Sequence, residues 1–289
     1  MLMLKFFYAL GFVLIATGLL YNFAALETFN LLVPKDGASA LVQRNLAYGP
    51  RPRNVLDVYA PTTGRGPWPV LVFVHGGSWQ GGGKEPYAFA GRALAAQGFL
   101  TLVISYRLHP QNPYPAFVED AALALDWATR HAGQFGGDQK RVFAMGHSAG
   151  AYNVAQAILD KHYLEHLGTD TSAIKAVATL AGPLDFLPLE GRASIEVFGK
   201  VPNLPDTQPV NHVRADAPPF LILHGTEDKT CLPRNSINLD KALRAAGAAS
   251  TLKLYQGVGH VGIMMALAMP LRGLAPTLDD VVTFFRSFS

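Results

Sequence analysis

Residues 142–152 read VFAMGHSAGAY, and the fold turns on how this stretch is understood. A β-branched, apolar approach meets Gly146, His147, Ser148, Ala149 and Gly150, after which a helix-compatible run begins. The pentapeptide fits G-x-S-x-G, a sharp strand-to-helix turn that presents a serine hydroxyl at its apex. Glycine on either side is what such a turn demands, because a side chain there collides with the neighbouring strand or helix. Taken alone, the five residues also fit an ordinary glycine-rich turn. The strand before them and the helix after them favour the elbow, in which Ser148 is left bare so that a substrate can reach it.

The same alternation extends in both directions. Short apolar runs suited to strands occur at 54–60, 69–75, 100–106, 141–146, 176–182, 220–225 and 250–256. Longer amphipathic runs between them predict helices near 86–97, 115–132, 149–162, 233–246 and 277–288. Strand and helix in turn imply an α/β fold, a mostly parallel sheet covered by helices. From Pro183 to Pro219 the rhythm stops, because prolines at 183, 188, 202, 205, 209, 218 and 219 forbid a long regular element. An irregular insertion of this size, 183–219, is expected to act as a cap over a site.

A serine hydroxyl is a weak nucleophile at neutral pH and needs a base, with a third group orienting that base. Of nine histidines, His260 is favoured, since it lies in GVGH just after the last predicted strand. Asp228, in HGTEDKT, follows the strand FLILHG and so sits at a strand's carboxyl end, where sites of open α/β sheets gather. Asp185, in GPLDF, also follows a predicted strand and stands as the alternative acid. Oxyanion donors are expected from VHGGSW at 74–79, through Gly76, Gly77 and Ser78, and from the amide of Ala149. His162 to His166, HYLEH, matches the zinc pattern H-x-x-E-H, but a solvated helix end is the preferred reading and no metal is expected.

Together VFVHGGSW, VISYRLHP, GHSAG, HGTED and GVGH resemble the α/β-hydrolase superfamily. The resemblance is closest to bacterial carboxylesterases similar to hormone-sensitive lipase and to the kynurenine-formamidase-like esterases, and it covers roughly residues 40–289. It implies an eight-stranded sheet, no cofactor, and an acyl-enzyme on the serine. The chain order Ser148, Asp228, His260 is the one this fold uses. HGGS in place of HGGG, and GHSAG in place of GDSAG, resemble the formamidase-like branch. The expected substrate is a small or medium carboxylic ester; an N-formyl amide of the arylformamidase type and an inactive hydrolase-fold binding module are the alternatives.

Bulk properties agree with one large core: 289 residues, 49% hydrophobic and 16% charged. A net charge of +3, with Lys and Arg scattered, lacks the basic stripe of a nucleic-acid binder. The single cysteine, Cys231, excludes an intrachain disulfide. Phe6 to Leu26, 21 residues without a charge, is long enough to cross about 30 Å of hydrocarbon as a helix. With Lys5 on its inner side, segment 1–29 is expected to be a membrane anchor or a cleaved signal, a helix buried against the domain or docked on the membrane surface being the remaining alternative, and 30–289 the catalytic domain on the extracytoplasmic face. Residues 27–40 are then expected to be a short tether.

Overall fold

The structure, a computed structural model, describes residues 19–288, with side chains from residue 25 onward. Its centre is the run PVLVFV. Such an unbroken apolar stretch suits a strand buried on both faces, as a parallel sheet requires. In β3 (Trp68–Val74), Val70, Val72 and Val74 enter one core while Leu71 and Phe73 enter the other. The side-chain period of two thus divides a single run between two helical layers.

Seven further strands complete the sheet: β1 (Ser39–Ala47), β2 (Val55–Pro61), β4 (Leu100–Ile104), β5 (Gly137–His147), β6 (Ile174–Leu180), β7 (Phe220–Gly225) and β8 (Ser250–Tyr255). Their order is β1-β2-β4-β3-β5-β6-β7-β8. Pairing is antiparallel for β1 with β2 and for β2 with β4, and parallel from β4 to β8. The strands expected from the apolar runs are all present, and β1 is the addition.

One layer holds α3 (Ala116–His131), α4 (Ala149–Leu159) and α7 (Arg234–Ala245), which bury Phe117, Tyr152 and Leu239. The other holds α2 (Ala88–Ala96), α8 (Gly262–Met265) and α9 (Thr277–Arg286). In that layer Phe285 stacks on Phe143 of β5 at 4.7 Å and meets Phe99 edge-on at 6.1 Å. The helix expected at 149–162 ends at Leu159, and α5 (His162–His166) follows it separately.

Two segments escape the alternation. Between β6 and β7 the proline-rich stretch contains α6 (Arg192–Phe198) and short 3-10 turns. It is seated on α4: the Tyr152 hydroxyl donates to the Thr207 carbonyl at 2.8 Å, and Phe198 packs edge-on against Tyr152 at 5.5 Å. At the other end, α1 (Leu19–Leu32) covers the last part of the uncharged N-terminal run, whose first residues, 6–18, lie outside the described residues. Among the described residues no helix is long and apolar enough to cross a membrane.

Residues 27–40 do not form the expected tether. Phe29 meets Phe89 edge-on at 5.2 Å, and Asn30 accepts from the Phe89 amide and donates to the Glu85 carbonyl, both at 3.0 Å. The helix end is therefore docked, and β1 begins at Ser39. Phe285→Ala removes the ring that joins α9 to β5 and is expected to lower stability by about 3–5 kcal/mol. Urea denaturation should show the midpoint falling with an unchanged slope.

Candidate active site

The elbow is where β5 hands over to α4. Ser148 has φ 56° and ψ −123°, a left-handed backbone that few side chains adopt. Two glycines permit it. A Cβ on Gly146 would lie 2.3 Å from the Gly150 carbonyl carbon, and one on Gly150 would lie 2.1 Å from the Val74 carbonyl oxygen. The Ser148 amide donates to the Leu180 carbonyl at 2.9 Å, which ties the turn to the end of β6. Strand β5, strand β3 and helix α4 therefore touch backbone to backbone, with the serine side chain at their shared edge.

Two loops at the same carboxyl edge of the sheet reach this hydroxyl. His260, in the loop after β8, has its Nε2 2.9 Å from Ser148 Oγ and its Nδ1 2.7 Å from Asp228 Oδ2. Since the carboxylate can only accept, Nδ1 carries the proton and Nε2 is left as the acceptor for the serine hydroxyl. Asp228 comes from the loop after β7 and is 2% exposed. Burial works to raise its pKa, but hydrogen bonds from His224, His260 and the Cys231 amide outweigh this and hold it well below the usual carboxylate range. Thr230 and Cys231 donate their amides to Oδ1 at 2.9 and 2.8 Å. His224 Nε2 is 3.2 Å from Oδ2 and 2.7 Å from the Cys231 carbonyl.

The third element is the loop after β3. Gly77, Ser78 and Trp79 all have positive φ, at 133°, 52° and 59°, in a turn closed by the Gln80 amide on the Gly77 carbonyl at 3.0 Å. Gly76 departs from its expected role as a donor. Its amide donates to the Tyr87 hydroxyl at 3.2 Å, so what it contributes to the site is space. A Cβ there would lie 3.1 Å from Ser148 Cβ and from His147 Nδ1. Gly77 and Ser78 follow it in the turn, and Ala149 is the first helical residue after the serine, where a backbone N–H has no intrahelical partner. Trp79 anchors the loop, donating its indole N–H to Asn153 Oδ1 of α4 at 3.0 Å.

The alternative acid is occupied elsewhere. Asp185 accepts from Asn238 Nδ2 of α7 at 2.7 Å, while Asp228 is the carboxylate on His260. In HYLEH, His162, Glu165 and His166 are exposed, and His162 Nδ1 faces Asp160 at 2.7 Å. Among the described residues no group of three or more His, Cys, Asp or Glu is arranged to hold a metal ion. Two further buried histidines stand at the site, His147 and His224, the second of which, with His75, is a rival to His260 for the base on sequence grounds. Both stand beside residues already singled out, His147 inside GHSAG and His224 opening HGTED, and that adjacency was the available signal.

Residues 56–243 match the BD-FAE family model. The chain belongs to this family. It is 32% identical over 270 residues to a probable isoprenylcysteine alpha-carbonyl methylesterase of Arabidopsis thaliana, covering 85% of this chain and 56% of that protein. Esterase LipC of Mycobacterium tuberculosis is 33% identical over 243 residues, covering 75% of this chain and 59% of its own length. The chain thus spans little more than half the length of these curated relatives. Among solved structures, esterase B from Lactobacillus rhamnosis superposes with a TM-score of 0.79 at 21% identity, covering 92% of both chains. A hormone-sensitive lipase from a metagenome library gives 0.78 at 20%, covering 98% of both. Sheet order and these superpositions make the fold that of the α/β-hydrolases.

Burial pushes the pKa of His75 down to about 4, and burial with the neighbouring His260 pushes that of His147 down to about 3. Both rings are therefore neutral in the folded chain at pH values where the unfolded chain, with histidine near 6.5, takes up protons. Neither ring penalises folding above about pH 6.5, and below it stability falls until about pH 4 for His75 and about pH 3 for His147, at up to about 1.4 kcal/mol per pH unit for each ring. The urea midpoint should accordingly drop between about pH 7 and about pH 5. His147→Gln should flatten that dependence by one proton.

Proposed function

We propose that the chain is a serine esterase that hydrolyses small to medium carboxylic esters through an acyl-enzyme. The observation that carries this reading is the hydrogen-bonded line from Ser148 Oγ through His260 to Asp228, with distances of 2.9 and 2.7 Å. Ser148 Oγ attacks the ester carbonyl while His260 Nε2 takes its proton. Asp228 holds the ring orientation and offsets the imidazolium charge. The amides of Gly77, Ser78 and Ala149 receive the oxyanion. His260 then passes the proton to the departing alcohol, and a water activated by the same nitrogen releases the acid. The names of the Arabidopsis and mycobacterial relatives, a methylesterase and an esterase, support ester hydrolysis in this chain.

The insertion 183–219 acts in this reading as a small cap, supported by the seating of Phe198 on Tyr152 and on Trp79 of the oxyanion loop, the latter at 4.9 Å. Arylformamidase activity is the second reading, and it rests on Ser78 in HGGS and His147 in GHSAG, the two departures from the lipase-like pattern. The uncharged run 6–26 holds the domain to a membrane in this proposal, on the extracytoplasmic side, with its length and Lys5 as the support.

Ser148→Ala should lower kcat on p-nitrophenyl acetate by at least about a thousandfold with the thermal midpoint little changed. A fluorophosphonate probe should label the wild type at Ser148, and an active alanine variant would remove the nucleophile. Comparing p-nitrophenyl esters, an isoprenylcysteine methyl ester and N-formylkynurenine ranks the substrate classes; turnover of none of them points to the binding module. Full-length chain should sediment with membranes and lose its domain to protease added outside spheroplasts. A soluble product beginning downstream of residue 18 would instead mean a cleaved signal.

A further inference from the structure

We propose that His147 is a positioning residue for the base, its Nε2–H holding the backbone carbonyl of His260 so that the His260 ring stays aligned between Asp228 and Ser148. This rests on the esterase reading and deepens it. The two atoms are 3.0 Å apart. A carbonyl oxygen can only accept, so Nε2 is the donor, and in the neutral ring Nδ1 is then a bare lone pair. Burial keeps the ring neutral, with its pKa pushed down to about 3.

The position of the ring explains why it can act this way. His147 is the last residue of β5 and pairs in register with Leu180 of β6, so its backbone belongs to the rigid edge of the sheet. His260 belongs to the loop after β8, where Val258 is packed in the core but the two residues flanking the histidine are Gly259, without a side chain, and exposed Val261. The His147 ring lies 5.0 Å from the His260 ring, tilted by 42°. Its Nδ1, buried and without a hydrogen-bond partner, faces the Gly76 backbone, where a Cβ would come within 3.1 Å. One imidazole thus spans from the oxyanion loop to the base loop and is chain-adjacent to the nucleophile. Because it is neutral, it adds no repulsion when His260 takes the serine proton 5.0 Å away.

Length and donor can be separated by substitution. Gln places its amide nitrogen as many bonds from Cα as His Nε2, Met has the same length without a donor, and Asn has a donor that is one bond short. With p-nitrophenyl acetate, His147→Met and His147→Asn should each lower kcat about tenfold, the factor one lost hydrogen bond supplies, with KM unchanged. His147→Gln should stay within about threefold of the wild type. The rate of fluorophosphonate labelling at Ser148 should fall by the same factors as kcat, whereas a purely structural role would lower the thermal midpoint without this split. Circular dichroism checks folding, and either Met or Asn suffices if the other does not fold. Equal kcat for the Gln and Met variants, or wild-type kcat in a folded Met or Asn variant, overturns the proposal. A wild type that is not labelled at Ser148 overturns the esterase reading, and this proposal with it.

Discussion

Backbone contact at the elbow is the constraint from which the rest of the site follows. Gly150 brings α4 so near to β3 that a single added carbon would lie 2.1 Å from the Val74 carbonyl oxygen. Val74 is the last residue of β3, and the next residues are His75, Gly76 and Gly77. The contact that seats α4 therefore also fixes where the oxyanion loop leaves the sheet. Parallel pairing of β5 with β3 and β6 aligns the carboxyl ends of all three, and β7 and β8 continue the same edge. Loops from four strands then converge without any long reach. The position of the site is a property of the sheet's direction before it is one of any side chain.

Asp228 shows what it takes to keep a charge at that edge. Placing an anion where it is 2% exposed costs several kcal/mol unless donors replace the lost water. Two backbone amides, His260 Nδ1 and His224 Nε2 surround it. The loop after β7 curls so that its own amides meet its own carboxylate, and His224 of β7 braces the loop by reaching the Cys231 carbonyl and, through Nδ1, Ser236 Oγ at 2.6 Å. Cys231 thus contributes main-chain atoms to the site, while its thiol is buried.

Legibility in the sequence followed burial. Strands buried on both faces are continuous apolar words, and β3, β4 and β7 were plain for that reason. Strand β1 was not, because SALVQRNLA is an edge strand with its middle exposed and two register shifts against β2. Nothing in its own composition demanded a strand; pairing to Tyr59 and its neighbours supplies the order. Docking of α1 was hidden for a related reason. Phe29 and Asn30 lie in ETFNLL, the short stretch that follows the uncharged run, too short for a periodic stripe to mark the face that meets Phe89 and Glu85. The residues around Ser148 were the most legible, since glycines at fixed offsets are forced by sterics. Gly76 misled because glycine satisfies two needs, a free amide and a vacant Cβ position, and here only the second is in use.

The histidines carry the remaining ambiguity, which only three-dimensional surroundings resolve. His75, His147, His224 and His260 all follow or end a strand at the same edge, and a sequence offers no means to weigh their environments. His75 is stacked on Tyr106 at 4.3 Å with Nδ1 committed to the Gly76 carbonyl, and His147 has Nε2 committed to the His260 carbonyl. His224 spends both nitrogens on Ser236, Cys231 and Asp228. His224 therefore also meets a carboxylate and a hydroxyl, but the hydroxyl is that of Ser236 in α7, whereas His260 has its free nitrogen on Ser148 Oγ at the elbow and its other on Asp228, which is the arrangement a base requires. Several imidazoles crowded at one edge could not all be charged, since each positive ring would disfavour the next. Burial holds His75 and His147 neutral. The positive charge that develops during proton transfer can therefore settle on His260, whose Nδ1 is 2.7 Å from Asp228.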